Sequence, residues 1–416
     1  MAACGGSSTV AVTEDGELFA WGDGKHGQLG LGAVMHHQRP ARAGGPELFA
    51  NQRIRLAAAG LGHLAVVAED GTVYTCGNGG VGRLGLGDVQ PRRRLTRVPQ
   101  AMFAGSLVVM VACGRLHTMA VTAAGHAWTC GYNESGQLGV GDTANRLMFA
   151  QVDAGQLGGA RIVMAACGLN HSVVVSAEGG VWTFGCGDCG RLGHNDEQDR
   201  LVPTLLEAQV FEGSSKIVTV AAGGFHTMAV GESGALWTWG WGSYGQLGLG
   251  DTNNRRVTLV GAEEVFGGSQ VRTVACGGDH KLAVTETGKL WAWGYGAQGR
   301  LGLNDGARQA GADARARALR RPEGAGAGGG RGGRRAVQQY YASLQGSERA
   351  QNERERERKG GREGGRERER ERARARERES ERARERESAR ARAREREQQA
   401  QLMIIQFCYK LNLSPF

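Results

Sequence analysis

Short apolar stretches separated by glycine-rich turns recur through the first three quarters of the chain, and no helical 3.6-residue period competes with them. Residues 228–239 show the unit: MAV, a turn containing Gly234, then ALWTW, both stretches rich in branched and aromatic side chains. Such a pair reads as two short strands joined by a tight hairpin. A lead-in strand near residues 216–221 and an outgoing one near 257–260 bring the unit to about four strands.

The unit occurs six times. Residues 113–142 read CGRLHTMAVTAAGHAWTCGYNESGQLGVGD, and residues 222–251 read AGGFHTMAVGESGALWTWGWGSYGQLGLGD. The glycine closing each Leu-Gly pair falls at Gly30, Gly85, Gly139, Gly193, Gly248 and Gly302, always 54 or 55 residues apart. Glycine makes up 70 of the 416 residues, far above the usual ~7%. Five glycine columns in six copies account for 30 of them, so the excess is architectural. In the column of Gly16, Gly71, Gly125, Gly179, Gly234 and Gly288, the hairpin needs a positive φ, which glycine adopts without a Cβ clash. The repeated leucines Leu29, Leu84, Leu138, Leu192, Leu247 and Leu301 are the expected plugs between neighbouring units. Together these features predict an all-β fold, a β-propeller of four-stranded blades over residues 1–306.

The recurring Cys/Ala-Gly-x-x-His-Thr/Ser, Trp/Cys-Gly and Gly-Gln/Arg-Leu-Gly-Leu-Gly-Asp resemble the repeats of the regulator of chromosome condensation family, over about 73% of the chain. The resemblance implies a seven-bladed propeller used mainly as a protein-binding platform. Seven blades need about 380 residues of repeat, and about 305 are present. Either the ring has six blades or the chain lacks part of the domain, and the second is the expectation. Repeat one also starts without the lead-in strand of the others, and no returning strand follows Asp305.

Charge divides the chain at the same boundary. Residues 1–306 carry 22 Lys and Arg against 25 Asp and Glu, whereas residues 307–416 carry 29 against 17. The net charge of +9 is therefore the sum of −3 on the repeats and +12 on the tail, so the basic character belongs wholly to the tail. Arg-Glu and Arg-Ala alternation dominates residues 353–397, too polar to bury a core, so residues 307–401 are expected to form a low-complexity, disordered tail. Alternating Arg and Glu is also what a repeat of A and G nucleotides encodes, so the stretch reads equally as translated microsatellite. Residues 402–416 form an apolar segment of unknown role, too short to span a bilayer. The run GGGRGGRR at 328–335 is a weak pointer to nucleic acid.

Candidate chemistry sits on the repeat positions. His63, His117, His171, His226 and His280 recur in phase, with Ser8 at that position in the remaining, first copy. One per repeat places them in separate blades, as structural hydrogen-bonding groups rather than a ring of metal ligands. Asp88, Asp142, Asp196, Asp251 and Asp305 follow a loop glycine, where the side chain caps a turn. Asp142 and Asp251 are also candidate acidic contacts for a basic partner. Cys4, Cys113, Cys167 and Cys276 share one phase, while Cys76 and Cys130 share another with Trp21, Trp239 and Trp293. These thiols read as small buried apolar groups. Cys186 and Cys189 form a lone CxxC without the further pair that zinc needs. The loop GDGKHGQLG at 22–30 lacks the residue order of a phosphate loop.

No catalytic residue, cofactor or metal site is therefore expected. Free buried cysteines and the absence of a secretory leader point to a cytoplasmic or nuclear chain away from membranes. Trp241 lies just past a strand end, Tyr132 and Tyr295 hold the same position in other repeats, and Tyr244 follows three residues on. These aromatics are the expected partner anchors. A non-enzymatic protein-interaction platform is the first functional reading. Guanine-nucleotide exchange on a Ran-like small GTPase is the second, implied by the family's founding member, although the constant spacing leaves no repeat with the inserted wedge used there. The third is the substrate-binding fragment of a larger ubiquitin ligase. A photoreceptor of this fold uses tryptophans two residues before the repeat His, where this chain has Leu61, Arg115, Leu169, Gly224 and Gly278, so photoreception is not expected. After brief digestion with a non-specific protease, a resistant fragment of about residues 1–306 would mean that the six repeats close into a stable platform. Loss of the repeats together with the tail would show an open, unstable array.

Overall fold

Each repeat becomes one antiparallel sheet whose strands are consecutive in the chain, as seen in a computed structural model that describes residues 1–301 except 46, 215, 298 and 299. Gly302, Asp305 and the tail segments 307–401 and 402–416 lie outside the described residues. Blade 1 holds β1 (Ala2–Cys4), β2 (Ser8–Val12), β3 (Leu18–Gly22) and β4 (His37–Arg42). Blade 2 holds β5 (Ile54–Ala59), β6 (His63–Ala68), β7 (Val73–Gly77) and β8 (Arg92–Arg97). In blade 3 the strands are β9 (Val108–Cys113), β10 (His117–Thr122), β11 (Ala127–Gly131) and β12 (Arg146–Gln151). Blade 4 follows with β13 (Ile162–Cys167), β14 (His171–Ser176), β15 (Val181–Gly185) and β16 (Arg200–Leu205). Blade 5 comprises β17 (Ile217–Ala222), β18 (His226–Gly231), β19 (Leu236–Gly240) and β20 (Arg255–Val260). Blade 6 shows three strands among the described residues: β21 (Val271–Cys276), β22 (His280–Thr285) and β23 (Leu290–Gly294).

The propeller architecture is the one the repeat predicts. The hairpin glycines, from Gly16 to Gly288, take φ between +75° and +92°, a region that β-carbons disfavour. Repeat one departs from expectation. It does carry a lead-in strand, β1, which pairs Ala2, Ala3 and Cys4 with Ala11, Val10 and Thr9. Three small residues satisfy that register, so no apolar run announces the strand.

The first strand of each blade packs against the first strand of the next, which makes β1, β5, β9, β13, β17 and β21 the inner strands. Hydrophobic cores fill the spaces between consecutive blades. Period-2 alternation sends Leu64 and Val66 of β6 toward blade 1, and Ala65 and Val67 toward blade 3. Every residue of β6, β10 and β14 is consequently buried, which is why these strands read as near-continuous apolar runs.

The Leu-Gly loop locks this packing in place. Leu84, Leu138, Leu192 and Leu247 are buried. The hydroxyls of Thr75, Thr129 and Thr183 donate to the carbonyls of Leu84, Leu138 and Leu192 at 2.9, 2.8 and 2.7 Å. Just beyond, the amides of Gly32, Gly87 and Gly141 donate to Arg93, Leu147 and Leu201 on the outer strand of the following blade, at 2.9, 2.9 and 3.0 Å. Each loop thus staples two blades. Leu138→Ala is expected to cost about 2–5 kcal/mol, as buried leucines do when truncated. A denaturant midpoint unchanged from the parent would show that Leu138 does not plug the junction.

Candidate functional site

Glycine and histidine in the Gly-x-x-His motif depend on each other. A Cβ at Gly60, Gly114, Gly168, Gly223 or Gly277 would collide with the imidazole three residues later in the same blade. With that space free, three of these rings reach the next blade. His63 Nε2 lies 2.9 Å from Thr118 Oγ1, His117 Nε2 lies 3.0 Å from Ser172 Oγ, and His171 Nε2 lies 3.0 Å from Thr227 Oγ1. The hydroxyls donate onward to the carbonyls of Arg83, Gln137 and Arg191, at 2.6, 2.8 and 3.0 Å. Each hydroxyl must therefore accept from the Nε2–H of the imidazole. The result is a bridge from one blade to the next and back, repeated at three junctions.

Burial keeps these rings neutral, holding His63 at about 3 and His117 at about 4. His171 is held well below its ordinary value by burial and by the nearby Arg191. Among the described residues, no group of three His, Cys, Asp or Glu is placed to hold a metal ion.

Two of these carbonyls, those of Arg83 and Arg191, accept a second donor, and those of Gln28 and Gln246 at the equivalent loop position accept the same kind of donor. Cys76 Sγ lies 3.8 Å from the Gln28 carbonyl and Cys130 Sγ 3.6 Å from that of Arg83, while the indoles of Trp239 and Trp293 donate to Arg191 and Gln246 at 2.8 and 3.0 Å. The Cys/Trp column is thus a donor column as well as a buried one, which corrects its reading as purely apolar. In the other cysteine phase Cys4 is exposed, and Cys113, Cys167 and Cys276 are only partly covered. Cys186 is buried and Cys189 partly so, and the Cys186 thiol donates to Asp188 at 3.1 Å.

The repeated aspartates do local work. Asp88, Asp142, Asp196 and Asp251 each accept from the amide two residues on, at 2.9–3.0 Å. Each also pairs with the arginine four residues on: Arg92, Arg146 and Arg200 at 2.6 Å, and Arg255. The bonds from Arg92 and Arg146 hold Asp88 and Asp142 below the ordinary carboxylate value. Asp142 and Asp251 are therefore already paired where they stand.

Aromatic side chains gather instead at blades 5 and 6. The amides of Trp241 and Tyr295 donate to the carbonyls of Phe225 and Asp279 at 2.9 Å, which lays the turn before the second strand beside the loop after the third. Phe225 packs edge-on against Trp241 with centroids 5.5 Å apart, Trp241 meets Tyr244 at 4.9 Å, and Tyr244 meets Tyr295 across the blade junction at 4.7 Å. The Arg191 guanidinium sits 4.6 Å above Phe225 and that of Arg300 sits 4.7 Å above Tyr295. All four rings are half-buried. Three of the predicted anchors thus form one surface, together with Phe225. Tyr132 stays apart on blade 3, donating its hydroxyl to Glu134 at 2.5 Å.

Residues 1–265 match the RCC1-like domain, and residues 271–300 match the regulator of chromosome condensation (RCC1) repeat. The ultraviolet-B receptor UVR8 of Arabidopsis thaliana is 37% identical over 307 residues, covering 73% of this chain and 66% of the receptor. The human E3 ubiquitin-protein ligase HERC2 is 36% identical over 72% of this chain, but over only 6% of its own length. The secretion-regulating guanine nucleotide exchange factor of Bos taurus is 32% identical over 71% of this chain and 63% of the factor. The chain thus spans no more than about two thirds of these relatives. The crystal structure of human WBSCR16 matches with a TM-score of 0.67 at 25% identity, over 74% of this chain and 79% of that one. Yeast RCC1 (Prp20), solved bound to Kap60, matches in fold with a TM-score of 0.64 at 20% identity, over 74% and 73%. With repeats in phase, blades in register and a matching domain over most of its described length, this chain belongs to the regulator of chromosome condensation (RCC1) repeat family.

Proposed function

We propose that this protein is a non-enzymatic interaction platform, and that the aromatic surface of Phe225, Trp241, Tyr244 and Tyr295 is where its protein partner docks. The observation that carries this reading is the continuous stack across two blades, half-exposed and stiffened by two guanidinium contacts. Large aromatic groups held rigid before binding lose little conformational freedom when a partner covers them, which makes them effective anchors. The bridging histidines His63, His117 and His171 support the reading from the other side, because each is buried, neutral and committed to holding the scaffold. The free thiols fit a chain that works in the cytoplasm or nucleus.

Guanine-nucleotide exchange is a second reading, favoured by the name of the bovine relative. A small GTPase would then be the partner. A role as the substrate-binding part of a larger ubiquitin ligase draws the same kind of support from HERC2.

A photo-crosslinker placed at Tyr244 should trap a partner that one placed at Glu178, in a hairpin turn elsewhere on the propeller, does not. Binding of that partner should weaken by about 30-fold or more in Trp241→Ala/Tyr244→Ala, the loss typical of truncated anchors. Unchanged affinity in the double variant would overturn the assignment. Acceleration of nucleotide release from a Ran-like GTPase by the full chain would replace the platform reading with exchange.

A further inference from the structure

The hydroxyl that receives the histidine bridge is present where blade 3 meets blade 2, where blade 4 meets blade 3 and where blade 5 meets blade 4, as Thr118, Ser172 and Thr227. At the junction of blades 5 and 6 the same position is Lys281. Its side chain is fully buried, and its ammonium nitrogen donates across the junction to the hydroxyl of Thr238. The counterparts of Thr238 in blades 2, 3 and 4 pin the leucine loop of their own blade. His226, which would use the bridge, has neither ring nitrogen hydrogen-bonded among the described residues. At this one junction the repeated hydroxyl is thus replaced by an amine, and the histidine bridge is missing.

Among the described residues, no carboxylate is paired with the buried amine. The ionisable groups facing this junction are His226 from β18, Cys276 from β21 and His280 from β22 itself, with Arg300 acting on His280 from the loop beyond β23. Asp279 is half-buried and stands toward Arg300. Burying an uncompensated ammonium is costly, whereas the neutral amine keeps its bond to Thr238 at little cost. The same junction carries the aromatic surface: Trp241 and Tyr244 belong to blade 5, Tyr295 belongs to blade 6, and the 4.7 Å contact of Tyr244 with Tyr295 joins the two parts of the stack.

We propose that the junction of blades 5 and 6 is a proton-sensitive hinge, with Lys281 as the group that loosens it, so that the aromatic docking surface is complete only while that amine is neutral. The docking half of this inference rests on the function proposed above; the hinge half does not.

Burial lowers Lys281 from its ordinary value of 10.5 to about 7, which puts the transition at near-neutral pH. An opened junction, where the amine is hydrated, binds the proton more tightly than the closed one between about pH 7 and 10.5. Closure therefore strengthens as pH rises through that window, and the gain is lost as pH falls to about 7 and below. His226 acts in the same direction below its ordinary value, because burial and Lys281 disfavour its charged form. For Lys281 alone, the opening equilibrium should fall about tenfold between pH 6 and pH 8.

Cys276 on β21 and Cys167 on β13 occupy the same repeat position, one at the altered junction and one beside an intact bridge. Their relative alkylation by iodoacetamide in the full chain, mapped by mass spectrometry, reports opening of blade 6 while cancelling the ordinary pH dependence of thiols. The Cys276/Cys167 ratio is expected to fall about tenfold from pH 6 to pH 8 in the parent. In Lys281→Thr, which restores the hydroxyl of the other junctions, it should stay low and lose the part of the pH dependence that belongs to Lys281, keeping only the smaller contribution of His226 below its ordinary value. A flat parent profile, or an unchanged pH dependence in Lys281→Thr, would overturn the hinge. Capture of the crosslinked partner should be weaker at pH 6 than at pH 8 for the parent, and this difference should shrink markedly in Lys281→Thr. A pH-dependent ratio with pH-independent capture would sink the coupling to docking and leave the hinge standing. Failure of the docking reading itself would show separately, in the Trp241→Ala/Tyr244→Ala variant.

Discussion

A buried imidazole that must find its partner in the next blade constrains most of the repeat. Removing it from water is tolerable only while it stays neutral and its N–H is satisfied. That requires a glycine three residues earlier to leave room, a hydroxyl at a fixed position one repeat later, and a carbonyl to orient that hydroxyl. Where the histidine is absent, at Ser8, the matching position in the next blade is Leu64, which joins the apolar core between blades 1 and 2. There both halves of the bridge are absent together. At Lys281 they do not match, and the junction carries an amine with no carboxylate paired to it among the described residues.

The fold was legible because 54- or 55-residue spacing repeats with almost no drift, and because glycines mark each turn where φ must be positive. The bridge was only half legible. His followed by Thr or Ser is visible in the motif, yet the hydroxyl serves the preceding blade's histidine, not the one beside it. Sequence adjacency hides that relation, and only packed blades show it. The Asp–Arg pairs were written in plain four-residue spacing, but a turn-capping aspartate explained itself without them. Phe225 gave no signal, since its column holds Gly62, Leu116, Asn170 and Asp279 in other repeats. It became part of the surface through its ring contact with Trp241.

Scaffold and surface are consequently built from different positions of one repeat. The His, hydroxyl, Thr and Leu positions tie blades together, so their side chains are spent on structure. The position after the strand-ending glycine is free to vary, and holds Asp23, Asn78, Tyr132, Cys186, Trp241 and Tyr295 in successive blades. Variation there changes what a blade presents without disturbing how it packs. Concentration of aromatic groups on blades 5 and 6 gives the propeller a sided surface, adjacent to the junction whose bridge is missing.

Native-state hydrogen exchange on the full chain tests the central role of the bridges most directly, because it reads the opening of each blade separately. If the bridges hold neighbouring blades together, amides of β10, β14 and β18 will exchange only through global unfolding, and those of β22 will exchange sooner, through a separate opening of blade 6. Equal protection of β18 and β22 at neutral pH would contradict it.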